Sequence, residues 1–265
     1  MPVLIEQGTV DNLFIGSSMF RQGIDIDYLE ENKETNYVLS YNGNQPILEY
    51  YQLKYLIDHD VSIRNLYVDM YAYAAWSETK VSDEKLFMEI GIEEKWKLWK
   101  ILSKGKLAAD MKTFWELFVT SNNEIIATWP VSGRIVNSLF YKGGSTSKPV
   151  ASSESVLNSM SVPAIKGEMN NTQRTHLIKL INLAKENGIN IVFIESPKYC
   201  NMAENESYIC AMRQYMNLLD EESVEYILCE NTWNLTGAND NIMKYPYNNK
   251  NVNYYVDNGH LSYEG

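Results

Sequence analysis

Asp11-Asn12-Leu13-Phe14-Ile15-Gly16-Ser17-Ser18 is a short apolar run that closes in Gly-Ser-Ser. An apolar run bounded by turn residues reads as a buried strand, here from Asp11 to Ile15. The turn carries a hydroxyl just past the strand's end. Toward the other end of the chain, Tyr255-Val256-Asp257-Asn258-Gly259-His260-Leu261 sets a carboxylate three residues before a histidine. A nucleophile and a base this far apart in sequence can meet only across a folded α/β layer.

The segments between them alternate as that layer requires. Tyr37 to Leu39 reads as a second strand, and Tyr41-Asn42-Gly43-Asn44-Gln45-Pro46 is turn-rich. Ile47 to Asp58 carries a helical stripe of Ile47, Tyr51 and Tyr55, and Asn65 to Tyr71 reads as a third strand. Ile24 to Asn32 is expected to be helical, with Asp25 or Asp27 near its start, where a carboxylate suits the helix dipole. Thr172 to Asn187 places Leu177, Ile181 and Ala184 on one face, and Asn187-Gly188 is a stop signal. Ile189 to Ile194 is a strand, Glu204 to Glu222 a helix and Glu225 to Cys229 a fifth strand. Such alternation predicts a three-layer α/β/α, flavodoxin-like domain on a mostly parallel five-stranded sheet.

The rhythm breaks between Trp76 and Asn171. Asp83 to Asn122 looks helical, and Trp129-Pro130, Tyr141-Lys142-Gly143-Gly144 and a Ser-rich stretch through Ser161 follow. We read residues 1–265 as one domain with an insertion or cap at about 77–171. Core size sets no obstacle, since 265 residues suffice for a single core and the apolar fraction of 45% is ordinary.

Charge excludes some partners. A net charge of −11 argues against nucleic acid, which needs clustered Lys and Arg, and against an anionic membrane surface. No apolar run is long enough to span a bilayer. Met1-Pro2-Val3-Leu4-Ile5-Glu6 lacks the basic and apolar regions of a signal peptide. As written the chain is expected in the cytoplasm, or at the cell envelope or outside the cell if a leader or anchor precedes it. Cys200, Cys210 and Cys229 have no metal-ligand spacing with any histidine and read as idle thiols.

Serine attacks an ester carbonyl only when a base takes its proton. Histidine suits that task near neutrality, and a carboxylate fixes its tautomer. The chain has 3 histidines. His59 follows a helix in a polar Asp-His-Asp setting, and His176 falls in the first turns of a helix, so both read as solvated or structural. His260 is therefore the base, with Asp257 three residues away to orient it.

These blocks resemble the SGNH (GDSL-like) hydrolase superfamily. Its first block is a strand followed by Gly-Asp-Ser, often with Ser in place of Asp, and Leu13-Phe14-Ile15-Gly16-Ser17-Ser18 is similar to it. The resemblance puts the nucleophile at Ser18 rather than Ser17. The last block is Asp-x-x-His-Leu with a following Gly, and Asp257 to Gly265 matches it. The second block is a Gly whose amide helps hold the oxyanion. Gly43 is similar in position, which implies an oxyanion hole of Ser18 and Gly43. The third block, Gly-x-Asn-Asp, is absent: Val68-Asp69-Met70-Tyr71-Ala72-Tyr73 holds no Asn. That departure is similar to a variant with cell-envelope acyl-transfer proteins of teichoic-acid alanylation and alginate acetylation. Losing one oxyanion donor typically costs roughly 10²–10³-fold in kcat, so a replacement from the insertion or from Asn42 is expected.

The resemblance implies a serine esterase that removes small acyl groups, acetyl above all, from a carbohydrate, with no metal or organic cofactor. An O-acyltransferase acting on a cell-surface glycan with the same triad, or a non-catalytic carbohydrate-binding protein of the same fold, are the alternatives. The chain is rich in aromatic residues, with 19 Tyr and 6 Trp. Tyr41, Tyr71, Tyr73 and Trp76 follow the second and third strands, at the edge where ligands of open α/β folds bind, and are expected to face a sugar. The stretch carrying Asp257 and His260 is expected to be more mobile than the core.

Overall fold

The opening run forms a strand longer than its apolar core: β1 spans Thr9–Gly16. The computed structural model describes residues 1–29, 33–79, 93, 96, 97, 99, 100, 149–229, 250–262 and 264. Beside β1 lie β2 (Asn36–Ser40), β3 (Ser62–Asp69), β4 (Asn190–Glu195) and β5 (Glu225–Leu228), in the order β2-β1-β3-β4-β5. Every neighbouring pair is parallel. The chain steps from β1 to β2 on one side, then crosses back to β3 and onward to β4 and β5. The carboxyl ends of β1 and β3 therefore flank a topological switch point, where open α/β sheets bind their ligands.

The nine described α-helices are α1 (Pro2–Gln7), α2 (Ser18–Gly23), α3 (Ile26–Leu29), α4 (Pro46–Asp58), α5 (Ala72–Trp76), α6 (Glu154–Ser159), α7 (Asn171–Glu186), α8 (Cys200–Ala203) and α9 (Glu206–Glu221). Alternation along β1 sorts its side chains to two faces. Leu13 and Ile15 join the main core, with Leu53 of α4, Leu177 of α7 and Tyr215 of α9. Phe14 faces the other way, stacks on Tyr67 with centroids 4.8 Å apart, and packs with Phe20 of α2 and Ile26 of α3. Helices thus cover both faces, as the three-layer reading predicts.

An asparagine ladder runs across four strands on the Phe14 face. Asn12 Nδ2 donates to Asn36 Oδ1 at 2.9 Å, Asn65 Nδ2 to Asn12 Oδ1 at 2.9 Å, and Asn190 Nδ2 to Asn65 Oδ1 at 3.2 Å. Each of these is a register pair. A slip of one residue would break the ladder and turn Leu13 and Ile15 away from the main core. The same register pairs Ile15 with Val68, so Gly16 and Asp69 end abreast at the site edge.

Several expected boundaries move. The helix expected over 24–32 is interrupted, because Ile24 is extended and Asp25 Oδ1 accepts from Tyr28 N–H at 3.3 Å to start a new turn. Its last residues, 30–32, lie outside the described residues. β3 ends at Asp69 rather than Tyr71, since the Tyr71 carbonyl already accepts from Ala74 and Ala75 as α5 begins. The helix expected over 204–222 is α9, which starts at Glu206 after its Asn205 cap, while the short α8 ahead of it was not expected. The insertion expected at 77–171 falls mostly outside the described residues, including nearly all of the helix expected over 83–122 and both Trp129-Pro130 and Tyr141 to Gly144. Among the described residues, no helix is long and apolar enough to cross a membrane.

A polar layer lies within the main core near α4. Asn44 Nδ2 donates to Gln52 Oε1 at 2.9 Å, and the Gln173 side chain accepts from Ile47 N–H at 3.2 Å. Glu49 of α4 is 2% exposed, and burial, aided by the Asp69 charge, pushes its carboxyl well above the usual range. The folded chain therefore keeps a proton that the unfolded chain releases. Stability from this group is complete at low pH and is lost as pH rises from the unfolded carboxylate range toward the folded value. Glu49→Gln, which is neutral throughout, is expected to melt higher than the parent at about pH 8 and to converge with it near pH 4. Thermal unfolding monitored across pH checks this; a parent that gains on the variant as pH rises contradicts it.

Candidate active site

The turn after β1 starts α2. Ser17 is its N-cap, and Ser17 Oγ accepts from Met19 N–H at 3.2 Å. Ser18 is then the first residue of the helix. Gly16 is required by crowding: a Cβ there would lie 2.3 Å from Asp69 Cβ.

The second half of the site is a loop held by a short bridge. Tyr255 and Leu261 pair antiparallel, Val256 N–H donates to His260 O at 2.9 Å, and Ser262 N–H to Tyr254 O at 2.8 Å. Tyr255 is wholly buried with Leu157, Tyr199 and Leu261. Its hydroxyl donates to Lys198 O at 3.0 Å, and Asn258 O accepts from Tyr199 N–H at 2.9 Å. The core cluster and the residues after β4 thus tie this stretch down. The loop packs closely on α2 at Gly259, where a Cβ would lie 2.6 Å from the movable tip of Met19, Cε.

These two pieces meet. Ser18 Oγ lies 2.7 Å from His260 Nε2, and His260 Nδ1 lies 2.7 Å from Asp257 Oδ2. Asp257 Oδ1 accepts from Gly259 N–H at 2.9 Å and His260 N–H at 2.8 Å. Burial alone would push the Asp257 carboxyl up. The His260 hydrogen bond, the Gly259 amide and the His260 charge outweigh it and hold the group below its usual range. An ionised Asp257 fixes the proton on Nδ1 and leaves Nε2 as an acceptor toward Ser18, the arrangement a general base needs.

An open pocket of about 470 Å³ adjoins His260. Its walls include Met19, Met160, Val162 and Met202, with Asp257 and His260 on one side. Of the four aromatic residues expected there, Tyr71 and Tyr73 line it. The Tyr73 ring stacks on Tyr208, with centroids 5.7 Å apart, and its hydroxyl donates to Pro163 O at 2.5 Å, which holds the 160–163 segment as a wall. All four pack against the main core, but Tyr41 and Trp76 do not line this pocket, and Trp76 Nε1 donates to Gly167 O at 3.3 Å. Asn42 and Gly43 lie in the turn after β2, outside the pocket wall. That turn is nonetheless tied to the nucleophile turn, since Tyr41 N–H donates to Gly16 O at 3.1 Å.

The other two histidines are held away from this chemistry. His59 Nδ1 bonds Tyr55 O at 2.7 Å, and His176 Nδ1 bonds Thr172 O at 2.8 Å against Tyr50 and Tyr51. None of the three cysteines is in a disulfide. Among the described residues, no group of three or more His, Cys, Asp or Glu could hold a metal ion.

Sequence reading missed the charges beneath the site. Asp69 bonds Ser17, and Glu195 and Lys198 pair at 3.5 Å with both side chains wholly buried. The available signal was a carboxylate closing an apolar strand: Val68-Asp69-Met70 and Phe193-Ile194-Glu195. A charge in such a run is costly unless it has a partner.

No family model and no curated protein matches the chain. Solved structures that match include a GDSL-like lipase from Bacteroides thetaiotaomicron, 8% identical, with a TM-score of 0.41 over 98% of this chain and 82% of that one. Another is a proposed acylhydrolase from Bacteroides fragilis, 9% identical, with a TM-score of 0.39 over 96% of this chain and 79% of that one. Likenesses this distant name no activity for this chain.

Proposed function

We propose that the chain is a serine ester hydrolase of the SGNH (GDSL-like) type. The reading rests on one observation: Ser18 Oγ, His260 and Asp257 form a continuous hydrogen-bonded chain, with both links at 2.7 Å. Ser18 attacks the acyl carbonyl as His260 Nε2 takes its proton. His260 returns that proton to the departing alkoxide, and water resolves the acyl-enzyme by the same base in a second cycle. Asp257 orients the imidazole and stabilises its charged form. The oxyanion is held by the Ser18 amide, free of an intrahelical acceptor at the first position of α2, and by the Gly43 amide in the turn tied to Gly16. No step calls for a metal or an organic cofactor.

The substrate we propose is a small O-acyl group, acetyl above all, on a carbohydrate. Tyr71 and Tyr73 in the pocket wall support a sugar ring beside His260. The experiment is fluorophosphonate labelling with mass-spectrometric site mapping, then turnover of p-nitrophenyl esters from acetate to palmitate and of acetylated xylan and acetylated glucosamine. Labelling at Ser18 and faster turnover of acetate than of long chains are expected. No covalent label contradicts the hydrolase, and preference for palmitate contradicts the substrate. A rate increase on adding a sugar acceptor would move the assignment to acyl transfer.

A further inference from the structure

Asp69 presses a second carboxylate against the nucleophile turn, and the Ser18–His260–Asp257 chain makes no use of it. The residue closes β3 and is 3% exposed. Its Oδ2 accepts from Ser17 N–H at 3.1 Å and also from the Ser17 hydroxyl. Ser17 has one hydroxyl proton, and that proton is directed at Asp69. A lone pair is then aimed at Met19 N–H, 3.2 Å away, which is the N-cap bond of α2. Every polar group of Ser17 that could swing the turn is committed.

The surroundings fix Asp69 in turn. Strand register sets it abreast of Gly16, with no space for a side chain between them. Burial pushes its carboxyl up, while the buried Lys198 ammonium, the two Ser17 hydrogen bonds and His260 pull against that rise. Lys198 also abuts the other half of the site. Its carbonyl takes the Tyr255 hydroxyl, and its Cδ is 3.8 Å from where a Cβ of Gly259 would stand.

We propose that Asp69 is a positioning residue that acts through the Ser17 hydroxyl to aim Ser18 at His260, a role that rests on the serine hydrolase reading above. The need for it is physical. α2 has six residues, too few to hold its own first turn by helix propagation. Its start depends on the cap, and the cap depends on which way the Ser17 hydroxyl points. Releasing that hydroxyl lets the first turn of α2 shift, and Ser18 Oγ moves with it. A misplacement of about 1 Å at a reacting atom costs roughly 10²-fold in rate.

The test is a double-mutant cycle on p-nitrophenyl acetate, with circular dichroism and thermal unfolding as folding controls. Asp69→Ala is expected to lower kcat by roughly 10²-fold while KM stays within about 3-fold. Asp69→Asn, whose Oδ1 can still accept from Ser17, restores kcat to within about 10-fold of the parent. Ser17→Ala lowers kcat by about 10-fold. In that background Asp69→Ala costs several-fold less than it does alone, because its route has been cut. Equal losses in the two backgrounds, or a raised KM with kcat unchanged, overturn the proposal. If Asp69→Ala fails to fold, Ser17→Ala decides: a parent-like kcat there overturns it, and a slower kcat at constant KM supports it. A parent chain that neither labels at Ser18 nor hydrolyses ester overturns the hydrolase reading and this proposal together. An active parent with Asp69→Ala at the parental rate overturns this proposal alone.

Discussion

Ser18→Ala is expected to keep the fold and to lower kcat by roughly 10⁴-fold or more. Ser18 Oγ bonds His260 Nε2, and the residue lies at the first position of α2, where alanine is a good helix former. Stability therefore changes little, while acyl transfer to the enzyme loses the nucleophile proposed for it. The neighbouring hydroxyl gives a sharp control. Ser17 Oγ is pinned between Asp69 and Met19, is 1% exposed, and has no route to His260. Its substitution costs far less, as the positioning argument requires. Turnover of p-nitrophenyl acetate by the two alanine variants, with melting curves, checks both. Labelling found at Ser17, or a Ser18→Ala variant within about 10-fold of the parent, would place the nucleophile wrongly.

Much of this site was legible because its signals are local. Leu13-Phe14-Ile15 has the composition of a buried strand, and Gly-Ser-Ser must turn. Asp257 and His260 fit one tight loop whose backbone amides bond the carboxylate. The five strands and α4, α7 and α9 announced themselves by periodicity and by end signals such as Asn187-Gly188, where α7 stops. What escaped depends on contacts distant in sequence. Asp69 meets Ser17 across 52 residues, and nothing near either one reveals that pair. Met160 to Pro163 becomes a pocket wall through contacts far off in sequence, among them the Tyr73 hydroxyl, which reaches Pro163 from 90 residues away. α2 escaped because six residues give too short a window for a 3.6-residue period. The aromatic residues divide for a similar reason. Tyr41, Tyr71, Tyr73 and Trp76 share a sheet edge and all pack on the main core, but only packing decides that Tyr71 and Tyr73 also reach the pocket.

His260→Ala is expected to lower kcat by roughly 10⁴-fold, because the Ser18 hydroxyl then loses the imidazole it is hydrogen-bonded to. The loss should be chemical rather than structural. The backbone of His260 keeps its bonds to Asp257 and Val256, and Tyr255 and Leu261 hold the loop without help from the imidazole. Asp257→Asn tests the orienting role apart from the base. An asparagine Oδ1 can still accept from the Gly259 and His260 amides, yet the chain that fixes the imidazole tautomer is broken, so kcat falls with the loop in place. The pH profile separates the two groups. Asp257 is held below the usual carboxylate range and stays ionised where histidines titrate. A rise in kcat/KM with pH through that range reports deprotonation of the base and not of Asp257. Measured on a small acetyl ester between about pH 5 and 9, the parent should show this rise. A flat parental profile, or His260→Ala turning over within about 10-fold of the parent, would remove His260 from the chemistry and the triad with it.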